Sequence, residues 1–223
     1  MRRPFVVIGL GRFGGSVTQE LIRQGAEVLA IDRDDAKIEA FREHVTSSVV
    51  ADATDEKVLK ELGVHEYTHV IVAIGNDIEA SILTTLLLSE LGVPDISVKA
   101  QNDYHARVLT KIGADRVLHP ERDMGTRLAH NLMSKNIIDY AELSGQLSVM
   151  EMTVDEHKCG GTIGALELRR KYHCAVVAVC RNGTFFSSPP MTEVIKKGDI
   201  LVVLGLTKDV YQLEQAMAHK KEG

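Results

Sequence analysis

The first 120 residues alternate between short apolar runs and amphipathic segments, and that alternation leaves the chain few folds to choose from. "FVVIGL", "AEVLAID", "TSSVVAD", "HVIVAIG", "DISVKAQ" and "DRVLHP" read as six short, β-branched, buried strands. Between them "GGSVTQELIRQGA", "DDAKIEAFREH", "DEKVLKELGV", "DIEASILTTLLLSELGV" and "NDYHARVLTKIGA" read as helices. Several end on a glycine suited to a helix C-terminus: Gly25, Gly63, Gly92 and Gly113. Strands that alternate with single helices join by right-handed crossovers. The predicted class is therefore α/β, a Rossmann-like doubly wound parallel sheet of six strands.

The rhythm changes after residue 120. "PERDMGTRLAHNLMSKNIIDYAEL" reads as one long helical pattern, broken around Ser134 to Asn136. "LSVMEMTV" alternates as a strand, "TIGALELRRKY" reads as a helix, and "CAVVAVCRNGTFFSSP" reads as a hairpin across Asn182-Gly183. "GDILVVLGL" is another strand, and the helix "KDVYQLEQAMA" precedes a charged tail expected to fray. This is a small α+β module of the size common for regulatory or dimerising domains. The predicted boundary falls within the linking helix and divides the chain into residues 1–134 and 135–223.

Composition removes several classes of function. A net charge of −5 over 223 residues does not supply the clustered basic face that nucleic acid needs. Cys159, Cys174 and Cys180 are odd in number and contain no metal-type CxxC pair, which suits reduced thiols in a cytosolic protein. No apolar run approaches the roughly 20 residues of a membrane helix, and "MRRPFVVIGL" is too short for a signal peptide. A role at a membrane then requires a partner.

The loop after the first strand is Gly9-x-Gly11-x-x-Gly14. Gly9 permits a tight turn, Gly11 lets the backbone approach a pyrophosphate, and Gly14 lets the helix pack on the sheet. The helix N-terminus then presents free N–H groups and its positive dipole end to phosphates. Asp32, at the end of the second strand, can accept bonds from both ribose hydroxyls and would repel a 2′-phosphate. The same glycines would also serve turn and packing alone. Asp52, after the third strand, suits either an adenine contact or a helix cap, a task for which Thr54 or Asp55 is better placed. Gly75 and Asn76 stand at the carboxyl end of the fourth strand, on the crevice side. Phe13, Arg33, Ala53 and Ile74 adjoin these positions and complete the predicted nucleotide-contacting set. Arg12 is unusual, because a forked, always-charged donor inside the loop suits a terminal phosphate, the solvated surface arginine being the lesser alternative.

Together, "VIGLGRFGGSV", "VIVAIGNDIEASILTTLLL", "VKAQN", "KIGADRVLHPERDMG" and "ELRRKYHCAVVAV" resemble the cytosolic RCK (regulator of K⁺ conductance) subunits of bacterial Ktr potassium transporters, of the KtrA and KtrC type. The resemblance covers nearly the whole chain. It implies homodimers assembling into an octameric ring beneath an integral-membrane potassium channel subunit, hence a cytoplasmic protein peripherally attached to the membrane. It implies ATP or ADP in the crevice, or NAD(H) as in some members, with ATP favouring the conducting state. By the same resemblance Arg12 senses the γ-phosphate, Asp32 holds the ribose, and Lys99 and Gln101 lie in the crevice region. Glu121 would help hold an activating divalent cation, Mg²⁺ or Ca²⁺, beside ATP. The second domain would bind inhibitory cyclic di-AMP through Ile163, Arg169 and the "SPP" at Ser188 to Pro190, with Pro189 and Ile163 packing on adenine. Gly164 and "PPMTE" depart from the family pattern there.

The alternative is a small NAD(H)-dependent oxidoreductase or redox sensor. A dehydrogenase needs a positioned acid–base group in a substrate domain. His119, His130, His157 and His173 form no such set, and neither serine–histidine–acid nor metal-ligand spacing is present. The expectation is a binding protein and not an enzyme.

Overall fold

In the computed structural model, which describes residues 4–133, 137–144, 146–154 and 159–218, the six strands of the first half form one sheet. They are β1 (Pro4–Ile8), β2 (Glu27–Asp32), β3 (Ser47–Val50), β4 (His69–Val72), β5 (Ile96–Lys99) and β6 (Arg116–Leu118), in the order β3-β2-β1-β4-β5-β6. All pairings are parallel, and Ile8 at the end of β1 lies beside Ile31 and Val72. Continuous apolar strands such as Val6-Val7-Ile8 and Val70-Ile71-Val72 need both faces covered, and both are. Helices α1 (Arg12–Arg23) and α2 (Asp35–Phe41) pack around Val7, Val28 and Ile38. Helices α3 (Glu56–Glu61), α4 (Ile78–Glu90) and α5 (Asp103–Lys111) pack around Ile8, Leu59, Leu88 and Leu109 on the other face. This is the doubly wound Rossmann arrangement expected from the alternation.

The chain divides into two compact units, Met1–Pro120 and Glu121–Gly223. Helix α6 (Pro120–Met133) opens the second, so the boundary read from sequence falls at the far end of this helix. The rest comprises β7 (Ile137–Ser144), β8 (Leu147–Thr153), a 3-10 turn (Gly164–Leu166), α7 (Leu168–Tyr172), β9 (Ala175–Arg181), β10 (Thr184–Ser187), β11 (Ile200–Leu206) and α8 (Thr207–Ala218). The five strands form an antiparallel sheet, β10-β9-β11-β8-β7. Strands β8 and β11 alternate strictly, sending Met150, Met152, Leu201 and Val203 into a core closed by Val210 and Leu213 of α8. Gly205 continues that inward face, where a Cβ would come 2.7 Å from the Cys174 sulfur. Arg181 clamps the end of β9 to the start of β11, donating to both carboxylate oxygens of buried Asp199 at 2.9 and 2.8 Å. The predicted hairpin is present, with Asn182 and Gly183 at φ of 51 and 79, the left-handed pair of a type I′ turn.

Two expectations are corrected. "IIDYAEL" is strand β7 and not a helix. A bulge between Ile137 and Asp139 shifts its phase, so buried Ile137 and Tyr140 are three residues apart, a helix-like spacing in an extended chain. "TIGALELRRKY" is two short turns and not one helix, because Glu167 has φ of 52. That kink lets Ile163 and Leu168, which would lie on different faces of one helix, both enter the core. The predicted break at Ser134 to Asn136, His157 and the tail beyond Ala218 lie outside the described residues. Among the described residues no helix is long and apolar enough to cross a membrane.

Candidate functional site

Open parallel sheets leave a crevice where adjacent strands send their connections to opposite faces. Here that point lies between β1, which leads to α1 on one face, and β4, which leads to α4 on the other. The crevice is a cleft of about 390 Å³.

Two of the loop glycines are consumed by packing. A Cβ on Gly14 would lie inside the envelope of the Gly9 carbonyl oxygen and 2.9 Å from the Ala73 Cβ. Gly9, at φ of +93, has the Ala73 carbonyl carbon 3.0 Å from where a Cβ would stand. Gly11 differs: it lines the cleft, and a Cβ there meets no protein atom within 4 Å. Turn and packing account for Gly9 and Gly14 but not for Gly11, which lines the cleft with open space around the position of a Cβ.

Helix termini sharpen this contrast. Asp34, Asp55, Asp77 and Asn102 cap α2, α3, α4 and α5 with their side chains, and each of these helices carries an acid in its first turn. Helix α1 has neither. Its N-cap is Gly11, no side chain bonds its first N–H groups, and its first residue is Arg12. Those N–H groups have no intrahelical partner and lie at the positive end of the helix dipole, beside the cleft.

Asp32, 7 % exposed, ends β2 at the cleft's edge. Its Oδ2 accepts the Leu10 N–H at 2.7 Å, which ties the glycine loop to β2, and its Oδ1 accepts the Asp34 N–H at 2.9 Å. A carboxylate has further acceptor capacity, and Lys37 Nζ approaches Oδ2 at 3.4 Å. Asp52 accepts the N–H of Thr54 at 2.9 Å and its hydroxyl at 2.7 Å, bonds that hold its carboxyl below the usual range. The cap of α3 is Asp55, so Asp52 is left at the cleft with Ala53 and Thr54.

The opposite wall is Ile74, Gly75, Asn76 and Asp77 after β4, with Lys99 from β5. Lys99 Nζ lies 5.9 Å from the Phe13 ring centre, the outer limit of a cation–π contact. Arg33 reaches Asp77 at 3.7 Å, an exposed pair of small energetic weight. Of the residues read from sequence, Gly9, Gly11, Arg12, Phe13, Asp32, Arg33, Asp52, Ala53, Ile74, Gly75 and Lys99 line the cleft. Gly14 and Gln101 do not. Gly14 packs behind the loop, and the Gln101 side chain donates to the Gly75 carbonyl. Sequence reasoning missed Lys37 and Asp77, although Lys37 stands on the first turn of the helix that follows Asp32.

Glu121 is exposed on the first turn of α6, in the second unit. Among the described residues no three His, Cys, Asp or Glu side chains gather as a metal site. In the second unit Arg169 is exposed and Pro189 half-buried, but Ile163 is 3 % exposed and belongs to the core. Ile163 packs with Leu168, Ile195 and Leu201 in that core. Gly164 donates to the Met191 carbonyl at 2.8 Å, and a Cβ there would come 3.1 Å from that oxygen. The glycine therefore goes with the close approach of the "PPMTE" loop.

Comparison with known proteins agrees with this architecture. Residues 5–120 match the TrkA-N domain and residues 149–218 the TrkA-C domain. Ktr system potassium uptake protein C of Bacillus subtilis (strain 168) is 49% identical over 221 residues, covering 99% of this chain and 100% of that protein. Ktr system potassium uptake protein A of the same organism is 46% identical over 212 residues, 95% of this chain and 96% of that one. The GsuK channel superposes with a TM-score of 0.69 at 18% identity, over 97% of this chain. This chain spans 40% of that channel's length, and the same holds for a GsuK structure bound to NAD, with a TM-score of 0.69 at 18% identity over 99% of this chain. That likeness is one of fold. With both domains matched and near-complete coverage at close to half identity, the chain belongs to the Ktr family of potassium uptake proteins, built from a TrkA-N and a TrkA-C domain.

Proposed function

We propose that this chain is the nucleotide-responsive regulatory subunit of a bacterial potassium uptake system, and that ATP and ADP compete for the cleft between β1 and β4. The observation that carries the reading is the first turn of α1. It lacks a side-chain cap and any acid, it is fronted by Gly11 and Arg12, and it opens on a cleft whose edge holds Asp32. A phosphate chain suits the helix end and Gly11, and a ribose suits Asp32. Arg12 is the group able to meet a third phosphate, which gives ATP an interaction that ADP lacks. A ligand shifts a conformational equilibrium only through such a difference.

Glu121 is the chain's own candidate donor to a Mg²⁺ or Ca²⁺ ion, whose remaining ligands would come from phosphate oxygens and water. Arg169 and Pro189 offer an exposed cation and an apolar edge for cyclic di-AMP in the second domain, with Ile163 supporting them from the core. Residues 1–134 as a nucleotide domain and 135–223 as a regulatory domain fit this division of labour. The Ktr relationship supports, as part of this proposal, homodimers assembling into an octameric ring held at the cytoplasmic face by a membrane subunit.

Calorimetric titration of the full chain with ATP, then ADP, then NADH tests the reading. ATP and ADP displacing one another from one site per chain is the expected result. Steady oxidation of NADH with a carbonyl substrate, without competition by ATP, would replace it with the oxidoreductase alternative.

A further inference from the structure

His105 lies on the first turn of α5, its N–H capped by Asn102 Oδ1 at 2.9 Å, and is 3 % exposed. Its Nδ1 accepts the backbone N–H of Gln101 at 3.3 Å, which assigns the neutral ring proton to Nε2. That Nε2 is buried and has no hydrogen-bond partner among the described residues. Burying a polar atom unpaired is unfavourable, and an apolar side chain of similar size would fill the same space more favourably. The other nitrogen therefore holds the interest. Gln101, whose backbone it fixes, uses its side-chain amide to donate to the Gly75 carbonyl in the cleft wall. Two hydrogen bonds, joined through the covalent frame of Gln101, thus link a buried imidazole to the wall after β4.

We infer that His105 is a positioning residue for the nucleotide cleft: it fixes Gln101, and through Gln101 the Gly75 peptide in the cleft wall. Burial, with His119 nearby, holds the ring below its ordinary range, so the neutral acceptor form is the one present near pH 7. A proton on Nδ1 would set a donor against the Gln101 N–H. The inference rests on the nucleotide reading of the cleft. It also separates His105 from Arg12, because a displaced wall weakens ATP and ADP alike.

The test measures ATP and ADP affinity of the full chain at pH 7.5, with amide hydrogen exchange at Gln101, in His105→Leu and His105→Asn. His105→Leu removes the acceptor, and the Oδ1 of His105→Asn can stand where Nδ1 stood. Losing one such bond should weaken both nucleotides by roughly 3- to 10-fold and speed exchange at Gln101, with His105→Asn recovering most of both. Wild-type affinity in His105→Leu, or His105→Asn as weak as His105→Leu, overturns the inference. Gln101→Ala breaks the same path from the exposed side without disturbing the core and should reproduce the loss, so unchanged affinity there overturns it as well. The wild-type titration separates the two readings: no ATP binding at all removes the nucleotide reading, whereas tight wild-type binding untouched by these variants removes only the role of His105.

Discussion

Replacing Gly14 with alanine tests the packing of the glycine loop through the sign of its effect. Alanine is favoured over glycine within a helix by about 1 kcal/mol, so propensity alone would make this variant of α1 more stable. The structure opposes this. The new methyl would overlap the Gly9 carbonyl oxygen, stand 3.0 Å from the Gly9 carbonyl carbon and 2.9 Å from the Ala73 Cβ. Two of these three neighbours are backbone atoms, which cannot swing aside as a flexible side chain would. Overpacking of this kind costs about 1–3 kcal/mol, which cancels the propensity gain and leaves a net loss of up to about 2 kcal/mol. Relief requires α1 to draw back from the loop, and its first N–H groups then leave the cleft. Urea unfolding of the full chain, followed by hydrogen exchange at β1 and α1 amides, reads the stability, and calorimetry reads ATP affinity. Gly11→Ala is the matched control, since its methyl meets no protein atom and the residue lines the cleft. It should leave stability within about 0.5 kcal/mol and still weaken ATP by tenfold or more. A Gly14→Ala protein that is stabilised and binds ATP normally would refute the packing argument.

Three other outcomes are expected. Arg12→Ala should raise the Kd for ATP about tenfold and leave ADP within about twofold, the difference expected from one charge-assisted bond; equal losses would remove Arg12 from the third phosphate. Glu121→Gln should abolish divalent-cation stimulation of potassium flux, measured with the membrane subunit in vesicles, while calorimetry still detects ATP. Asp199→Ala should lower the melting temperature of the second domain by more than about 5 °C, because Arg181 loses both of its bonds to the buried Asp199 carboxylate and keeps only that to Glu193 among its carboxylate partners. The carboxyl of Asp199 is held below its ordinary value of 3.8, first by the Arg181 hydrogen bonds. Its contribution is therefore complete above that value and lost as pH falls through the depressed one, so the wild type should lose stability below about pH 4 more steeply than the variant.

The parallel sheet was legible because its central strands are continuously apolar and most of its helices carry local caps and terminal glycines, so each element declares itself within a dozen residues. The glycine loop, Asp32 and Gly75 were legible for a related reason, since the crevice of such a sheet always lies beyond the carboxyl ends of its central strands. Lys37 was not, because only the return of α2 over the end of β2 brings it to Asp32. His105 was hidden more deeply, as its meaning depends on a bond to a backbone N–H four residues away and on burial that no periodicity announces. Strand β7 failed for a specific reason: a bulge moved Tyr140 three positions from Ile137, and a three-residue interval is the mark of a helix. The segment around Glu167 failed because a left-handed glutamate carries no compositional signal.

The unequal capping of the helices has a consequence for how the protein would register occupancy. Asp34, Asp55, Asp77 and Asn102 are permanent parts of the chain, so those four helix ends are capped whether or not a ligand is bound. Helix α1 has no such residue, and a phosphate seated against Gly11 would serve as its removable cap. The ordering of its first turn would then rise and fall with the ligand, and Arg12 rides on that turn. Occupancy would be recorded first as the stiffness of one helical end, before any larger movement of the chain.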